Sequence, residues 1–464
     1  MINYKSIYND FEKYREKKIS LPLIKHSHVK NIIEEHKRKN LFDIELIGHS
    51  IEGKEIYSLS LGRGNIKILV WSQMHGDEPT ATASIFDLIN FFSDNDIYND
   101  FKKNILEKLK IYFVPMLNPD GAELFKRENS LNIDLNRDAL RIEAHESKIL
   151  WNLAKRIKPQ FALNLHDQNS YYTAGRSSNT AAISLLAPPT DFEKSITETR
   201  KKSMQVILRI NEVLSNFIPL NIARYNDDFE PRAFGDNFTK ANISSILIES
   251  GFLIGDTEKS EIRKLNFISL LSAFDSIANE DYKEKNIEEY FSIPENNSLL
   301  FDLLLRNLSI TKNNKSFKID VGIIRERKYD SEANQFYYVG KIKEIGDLSI
   351  YYGIEEYNLN GYDVDIPKIF LSNNRTKLNI EQFNLLHNEG YGFVFQTEHN
   401  YEKDYTSMPI NILCYKNYKP QLAVDEYANL LITKENNKIY IIINGFFQVL
   451  NDSKNRILNS LVIH

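Results

Sequence analysis

A histidine and a glutamate stand three residues apart in Met74-His75-Gly76-Asp77-Glu78-Pro79, directly after the strand-like run IKILVWSQ at 66–73. Two side chains so placed at the end of a buried strand can turn toward one point. Neutral imidazole and carboxylate are both good zinc ligands, and a catalytic zinc needs three protein ligands plus a water. The pair alone is weak, because His-x-x-Glu arises by chance. More residues suited to chemistry follow in order: NPDG at 118–121, Arg127, DLNR at 134–137, His166 in NLHDQ and Glu249 in ILIESGF. Taken singly, each has a structural explanation. NPDG has the composition of a turn, DLNR can start a helix on an Asp or Asn cap, and a strand-end Glu can serve a salt bridge. It is the ordered set, at strand ends, that points to a metal site.

That set resembles the zinc metallocarboxypeptidases of the carboxypeptidase A type, over roughly the first 280 residues. The resemblance implies an α/β fold, with a mixed central sheet and helices on both faces, and one zinc ion per chain. It implies that His75, Glu78 and His166 are the metal ligands, and that Asp134 is the aspartate holding the first zinc histidine. Arg127 would steady the carbonyl oxygen of the scissile bond, and Asn136 and Arg137 would grip the substrate's terminal carboxylate. Glu249 would be the general base, and Tyr225 is the best match to the mobile tyrosine that caps the substrate. These roles agree with elementary chemistry. Zinc lowers the pKa of a bound water toward neutrality, a carboxylate can shuttle its proton, and a cation favours the charge on a tetrahedral intermediate. The planar fork of an arginine fits a carboxylate as a lysine cannot, and a carboxylate behind a ligating histidine sets its tautomer.

Asp77 departs from the digestive members of that family, which carry an arginine between the paired ligands. HG-x-E forms occur in other branches and in related deacylases, so zinc binding is expected to survive and the substrate is left open. Asp227, Asp228, Glu230, Arg232 and Asp236 lie in the segment that follows Tyr225 and are candidates to line a specificity pocket. The leading expectation is a zinc exopeptidase acting on a peptide with a free C-terminus. One alternative is a zinc deacylase or amidase, like succinylglutamate desuccinylase and aspartoacylase. A second is a non-catalytic peptide-binding protein, whose expected mark is loss of a ligand or of Glu249; none is lost. A serine hydrolase is excluded, because Gly48-His49-Ser50-Ile51-Glu52 has Glu where a nucleophile elbow requires its last Gly.

The elements that must position these residues alternate between strand and helix. IYSLSLG and IKILVWSQ read as strands, 80–92 as a helix and IYFVPML as a strand. An amphipathic helix is expected over 139–157, then the strand FALNLH. A helix over 195–216, the strand SSILIES and a helix over 258–278 complete the series. Such alternation predicts an α/β sheet with crossovers, whose sites form outside strand ends. His145 lies among charges on the 139–157 helix and reads as surface. Residues 1 to about 45 read as helices leading in. The polar stretch DYKEKNIEEYFSIPENNS at 281–298 reads as a linker, dividing a catalytic domain at 1–285 from a β-rich accessory domain at 286–464. The last part, ANLLITKENNKIYIIINGFFQVL, has a weak resemblance to the accessory β-sandwich of metal-dependent amidohydrolases, implying architecture only. His387 and His399 lack partners at ligand spacing.

Composition bounds the rest. The chain has 464 residues, 42% hydrophobic and 12% aromatic, enough for two or three domains with large cores. A net charge of −5 is mild for that length and argues against a general nucleic-acid surface. The only cysteine, Cys414, sits in an apolar run, which excludes an intrachain disulfide and favours an inert buried thiol. A charged N-terminus unlike a signal peptide and no run long enough to span a membrane make a cytoplasmic protein the expectation. No internal repeat is visible, and oligomeric state is not legible.

Overall fold

The computed structural model describes residues 2–39, 42–372, 378–396, 402–415, 417–435, 437–452 and 458–464, so His399 lies outside the described residues. The chain divides into two compact units, Met1–Ser298 and Leu299–His464.

The first unit opens with helices α1 (Tyr4–Asn9) and α2 (His26–Lys39), followed by β1 (Asp43–His49), β2 (Glu55–Leu61) and β3 (Ile66–Trp71). Next come α3 (Thr80–Ser93), α4 (Asn99–Lys108), β4 (Leu109–Val114), α5 (Pro119–Leu124), α6 (His145–Ile157) and β5 (Phe161–Asp167). The series continues with β6 (Tyr172–Ala174), β7 (Ile183–Leu186), α7 (Glu198–Leu214), β8 (Ile222–Arg224), α8 (Phe234–Lys240), β9 (Ser244–Ser250), α9 (Ser260–Asn279) and β10 (Asn296–Ser298). Eight strands form one mixed sheet in the order β1-β2-β4-β3-β5-β9-β7-β8. Its middle, from β4 to β9, is parallel. Parallel strands need crossovers, and helices on both faces supply them. Ile68, Val70, Leu163 and Ile248 pack with α3, α7 and α9 on one face; Leu69, Trp71 and Ala162 pack with α6 and α8 on the other. This is the expected α/β architecture.

Two details differ from expectation. The helix forecast from 139 starts only at His145, because Asp138 turns back to accept the backbone N–H groups of Glu143 and Ala144 and holds that stretch as a loop. His145, the first residue of α6, is exposed, as expected. The stretch 281–298 is not a free linker. It forms two short 3-10 helices and β10, which pairs with β6, and it buries Tyr282, Tyr290 and Ile293 within the first unit. Its polar average conceals those three apolar residues, so the boundary falls after Ser298 and not at 285.

The second unit is β-rich. Strands β11 (Leu300–Lys312), β12 (Lys315–Asp330) and β13 (Gln335–Gly346) form long antiparallel ribbons, and β14 (Tyr352–Asn358) lies parallel to β11. β15 (Asp363–Asp365) links β11 to β20 (Leu430–Lys434), β21 (Asn437–Ile443) and β22 (Phe446–Val449). The remaining strands, β16 (Lys368–Leu371), β17 (Tyr391–Phe395), β18 (Tyr405–Thr406), β19 (Asn411–Leu413) and β23 (Ser460–Ile463), make a separate five-stranded sheet. Helix α10 (Ile380–Asn388) crosses between the parallel β16 and β17 and buries His387. Cys414 is half-buried, and burial raises its thiol pKa. No described helix is long and apolar enough to cross a membrane.

Candidate active site

β3 and β5 are parallel neighbours, as are β5 and β9, so their C-terminal ends lie side by side. Side chains alternate along a strand, and His166 therefore shares the α6/α8 face with Ala162. In register beside it on β9 is Glu249. The loop after β3 brings His75 and Glu78 to the same place. This loop is held against the one after β4. Asn118 caps α5 by accepting the Gly121 N–H and donates to the carbonyls of Met74 and Arg127. The NPDG motif is thus a capped helix start with Pro at its first turn, and not a bare turn. The two loops touch through glycines: a Cβ on Gly76 would stand 2.0 Å from the Gly121 carbonyl carbon.

His75, Glu78 and His166 are all buried, and each offers a ligand atom within 4.8 Å of the others. Glu78 Oε1 lies 2.8 Å from His75 Nδ1, Glu78 Oε2 lies 2.7 Å from His166 Nδ1, and the two Nδ1 atoms are 3.1 Å apart. Ligands at the usual zinc distances stand roughly 3.3 Å apart around a tetrahedral ion, so this triangle is slightly contracted but of the right size. Asp134 Oδ1 accepts from His75 Nε2 at 3.1 Å, which assigns the proton to Nε2 and turns the Nδ1 lone pair into the triangle. The donor set and its orientation fit zinc.

The surrounding charges favour a cation at this point. Burial opposes a charge on His75, but Glu78 and Asp134 outweigh it and raise the imidazole pKa to about 9. Burial likewise opposes charge on Glu78, yet the two histidines hold it well below the usual carboxylate range. Asp134 is pulled down against its burial by His75 and Arg127. Glu249 goes the other way: burial, reinforced by the nearby Glu78 charge, pushes it well above the ordinary range. Asp77 is raised to about 7 by burial and by Glu78, and its buried Oδ1 has no hydrogen-bond partner.

Arg127 closes one side. Its Nε donates to Asp134 Oδ2 at 3.0 Å, and its Nη1 lies 3.2 Å from Glu78 Oε1 and 3.1 Å from His75 Nδ1. Asn136 is tied on both sides: its Oδ1 accepts the Phe234 N–H at 2.9 Å, and its Nδ2 faces His166 Nε2 at 3.5 Å. Arg137 sits further out, with 40% of its side chain exposed; Nη1 donates to the Asn136 carbonyl and Nε pairs with Glu230 at 3.3 Å. Tyr225 follows β8, lies with its ring tilted against Tyr172 at 6.3 Å between ring centres, and has its phenol pKa raised by burial and then by Glu249. The fold thus brings the three forecast ligands, Arg127, Asp134, Asn136 and Glu249 together at the strand ends, with Arg137 more exposed beside them.

Sequence reasoning missed several supports. Asp167 donates its backbone N–H to Glu78 Oε2 at 3.2 Å, while its carboxylate is held by Thr80 and Lys259. Asp227, named above only as a candidate pocket residue, is bound by the buried Arg200 and by Lys194, and so anchors the segment two residues after Tyr225. The pairing of Glu230 with Arg137 and Arg232 was also invisible. Only the adjacency of Asp167 to His166 was a usable signal.

Residues 30–184 match the family model described as zinc carboxypeptidase. The matched stretch holds the three candidate ligands, Arg127, Asp134, Asn136 and Arg137, and stops short of Tyr225 and Glu249. A probable carboxypeptidase 2 of Trichophyton verrucosum is 32% identical over 113 residues, 24% of this chain and 20% of that protein. The carboxypeptidase SOL1 of Arabidopsis thaliana is 40% identical over 65 residues, 14% of this chain and 13% of that protein. The chain therefore spans about a fifth or less of the length of these curated relatives. Among solved structures, a metallo-carboxypeptidase from Burkholderia cenocepacia aligns with a TM-score of 0.46 and 14% identity, over 56% of this chain and 70% of that one.

Proposed function

We propose that the first unit is a zinc-dependent carboxypeptidase that removes the last residue from peptides with a free C-terminus. One observation carries this reading: the ligand atoms of His75, Glu78 and His166 converge at the strand ends beside a buried Glu249 of raised proton affinity. Zinc, when bound there, supplies Lewis acidity that activates water and polarises a carbonyl. Glu249 takes a proton at its carboxylate and returns it to the leaving amine; its raised pKa places it nearer the working range of a general base. Arg127, fixed by Asp134, presents a guanidinium to the charge that develops on the carbonyl oxygen. Asp134 keeps the His75 ring in one tautomer. Asn136, its side-chain oxygen already engaged by the Phe234 N–H, holds its NH2 group beside His166, and the more exposed Arg137 offers a cation for the terminal carboxylate. Tyr225, close enough to Glu249 for its phenol to be shifted by that charge, is the residue that would cover bound substrate.

The test pairs metal analysis with hydrolysis of hippuryl dipeptides and their C-terminal amides. One zinc per chain is expected. Charge-assisted hydrogen bonds contribute roughly 1.5–3 kcal/mol each, so amidation should lower kcat/KM by about one to two orders of magnitude. Equal rates on acids and amides would move the assignment to an amidase or deacylase on the same zinc site.

A further inference from the structure

Arg137 is already partly engaged in this structure, through two of its five N–H donors. Its Nε is paired with Glu230 Oε2 at 3.3 Å, and its Nη1 is committed to the Asn136 carbonyl at 2.8 Å. Glu230 is held far more firmly by Arg232, through a two-toothed contact of 2.9 Å from Nε and 2.8 Å from Nη2, and it accepts the Arg232 backbone N–H as well. Its own backbone N–H donates to the buried Asp236 on α8. The segment is also joined to the Arg137 segment, because the Ala139 N–H donates to the Arg232 carbonyl. The Glu230 carboxylate therefore bridges two guanidiniums at a fixed place, much as a substrate's terminal carboxylate would. Side-chain exposures of 40% for Arg137, 28% for Glu230 and 55% for Arg232 leave all three in contact with solvent, where an ion pair can exchange partners.

We propose that Glu230 is a built-in competitor for Arg137: it occupies the terminal-carboxylate position until substrate displaces it, and Arg232 is the holder that keeps it from closing fully on Arg137. This rests on the reading of Arg137 as the carboxylate clamp. The contact geometry sets the direction of each effect. A single 3.3 Å contact is weaker than a bidentate one, so Glu230 leaves Arg137 more readily than it leaves Arg232. An incoming carboxylate that takes Arg137 leaves Glu230 with its stronger partner and strands no charge. Glu230 and Arg232 are positioning residues; neither needs to touch the scissile bond. Exposed ion pairs are worth up to about 1 kcal/mol, so the changes expected in KM are modest, about three- to fivefold.

The test uses the zinc-loaded 464-residue chain and hippuryl dipeptides in free-acid and C-terminally amidated forms. Glu230→Gln should lower KM for the acids about three- to fivefold, with kcat little changed, and leave the amides unmoved. Arg232→Gln should raise KM for the acids by a similar factor, since Glu230 can then settle on Arg137. The double variant separates this from direct contact. If Arg232 only holds Glu230, Glu230→Gln with Arg232→Gln returns KM to wild type or below. If Arg232 itself binds substrate, KM stays raised and the proposal is overturned. Arg137→Lys is the control on the underlying reading. If it erases the preference for acids over amides while Glu230→Gln changes nothing, the clamp stands and the competitor is refuted. If Arg137→Lys leaves that preference intact, the clamp itself fails, and the competitor with it.

Discussion

At the scale of single residues, the division of labour between carboxylates follows from their surroundings. Glu78 and Asp134 face imidazoles and are held down as anions, whereas Glu249 is buried near the Glu78 charge and is pushed up. Groups driven apart in this way are suited to different tasks, ligation on one side and proton transfer on the other. Glu249→Gln preserves shape and removes the proton acceptor. The expected outcome is full zinc occupancy, read by elemental analysis, with turnover reduced by about 10²–10⁴-fold. Wild-type turnover in this variant would remove Glu249 from the mechanism. Asp77 is the residue whose chemistry stays unusual: it is partly buried beside Glu78, with its buried Oδ1 unpartnered.

At the scale of elements, the site depends on two loops meeting without side chains between them. Gly76 abuts the backbone of Gly121, and Gly121 abuts the Glu128 carbonyl, where an added Cβ would stand 2.4 Å away. The obstructing atoms are backbone, so they cannot rotate out of the way. Gly76→Ala must push the loop after β3 from the loop after β4 and carry His75 and Glu78 with it. We expect weaker zinc binding, seen as faster loss to a chelator, and a lowered melting temperature. Unchanged zinc retention would mean that the loops can part without moving the ligands. β9 and β5 supply the more rigid half of the site, since His166 and Glu249 sit on paired strands in the middle of the sheet.

At the scale of the whole molecule, two units carry separate cores, and every candidate site residue lies in the first. A protein ending at residue 298 keeps β10 on β6 and the ion pair of Arg224 with Glu295. It should fold and bind one zinc per chain; a folded product unable to hold zinc would show that residues beyond 298 complete the centre. The second unit has a pH signature of its own. Burial, only partly offset by the Arg325 backbone N–H, raises Asp302 to about 6. Between about pH 4 and 6 the folded form therefore binds more protons than the unfolded form, and stability falls as pH rises. Asp302→Asn keeps an oxygen for Arg325 and cannot ionise. Relative to wild type it should stabilise the second unit by on the order of 1–3 kcal/mol at pH 8 and by little at pH 4. A difference that does not grow between those pH values in denaturant titrations would reject this account.

The sequence by itself determined which residues were candidates for chemistry and the class of fold. His75, Glu78, His166 and Glu249 were legible because ligand types recur at the ends of hydrophobic strands, and strand periodicity dictates which neighbours share a face. The α/β alternation was legible for the same local reason. Tertiary structure decided what depends on distant partners. Asn118 acts as a clasp only because the Met74 and Arg127 carbonyls come to it. The stretch 281–298 belongs to the first unit because Tyr282, Tyr290 and Ile293 find a core to enter, which a polar average cannot reveal. The pairing of Arg137 with Glu230 joins residues 93 positions apart and has no sequence period to announce it. Short-range periodicity is encoded locally, whereas ion pairs and close backbone approaches exist only once the sheet has brought its loops together.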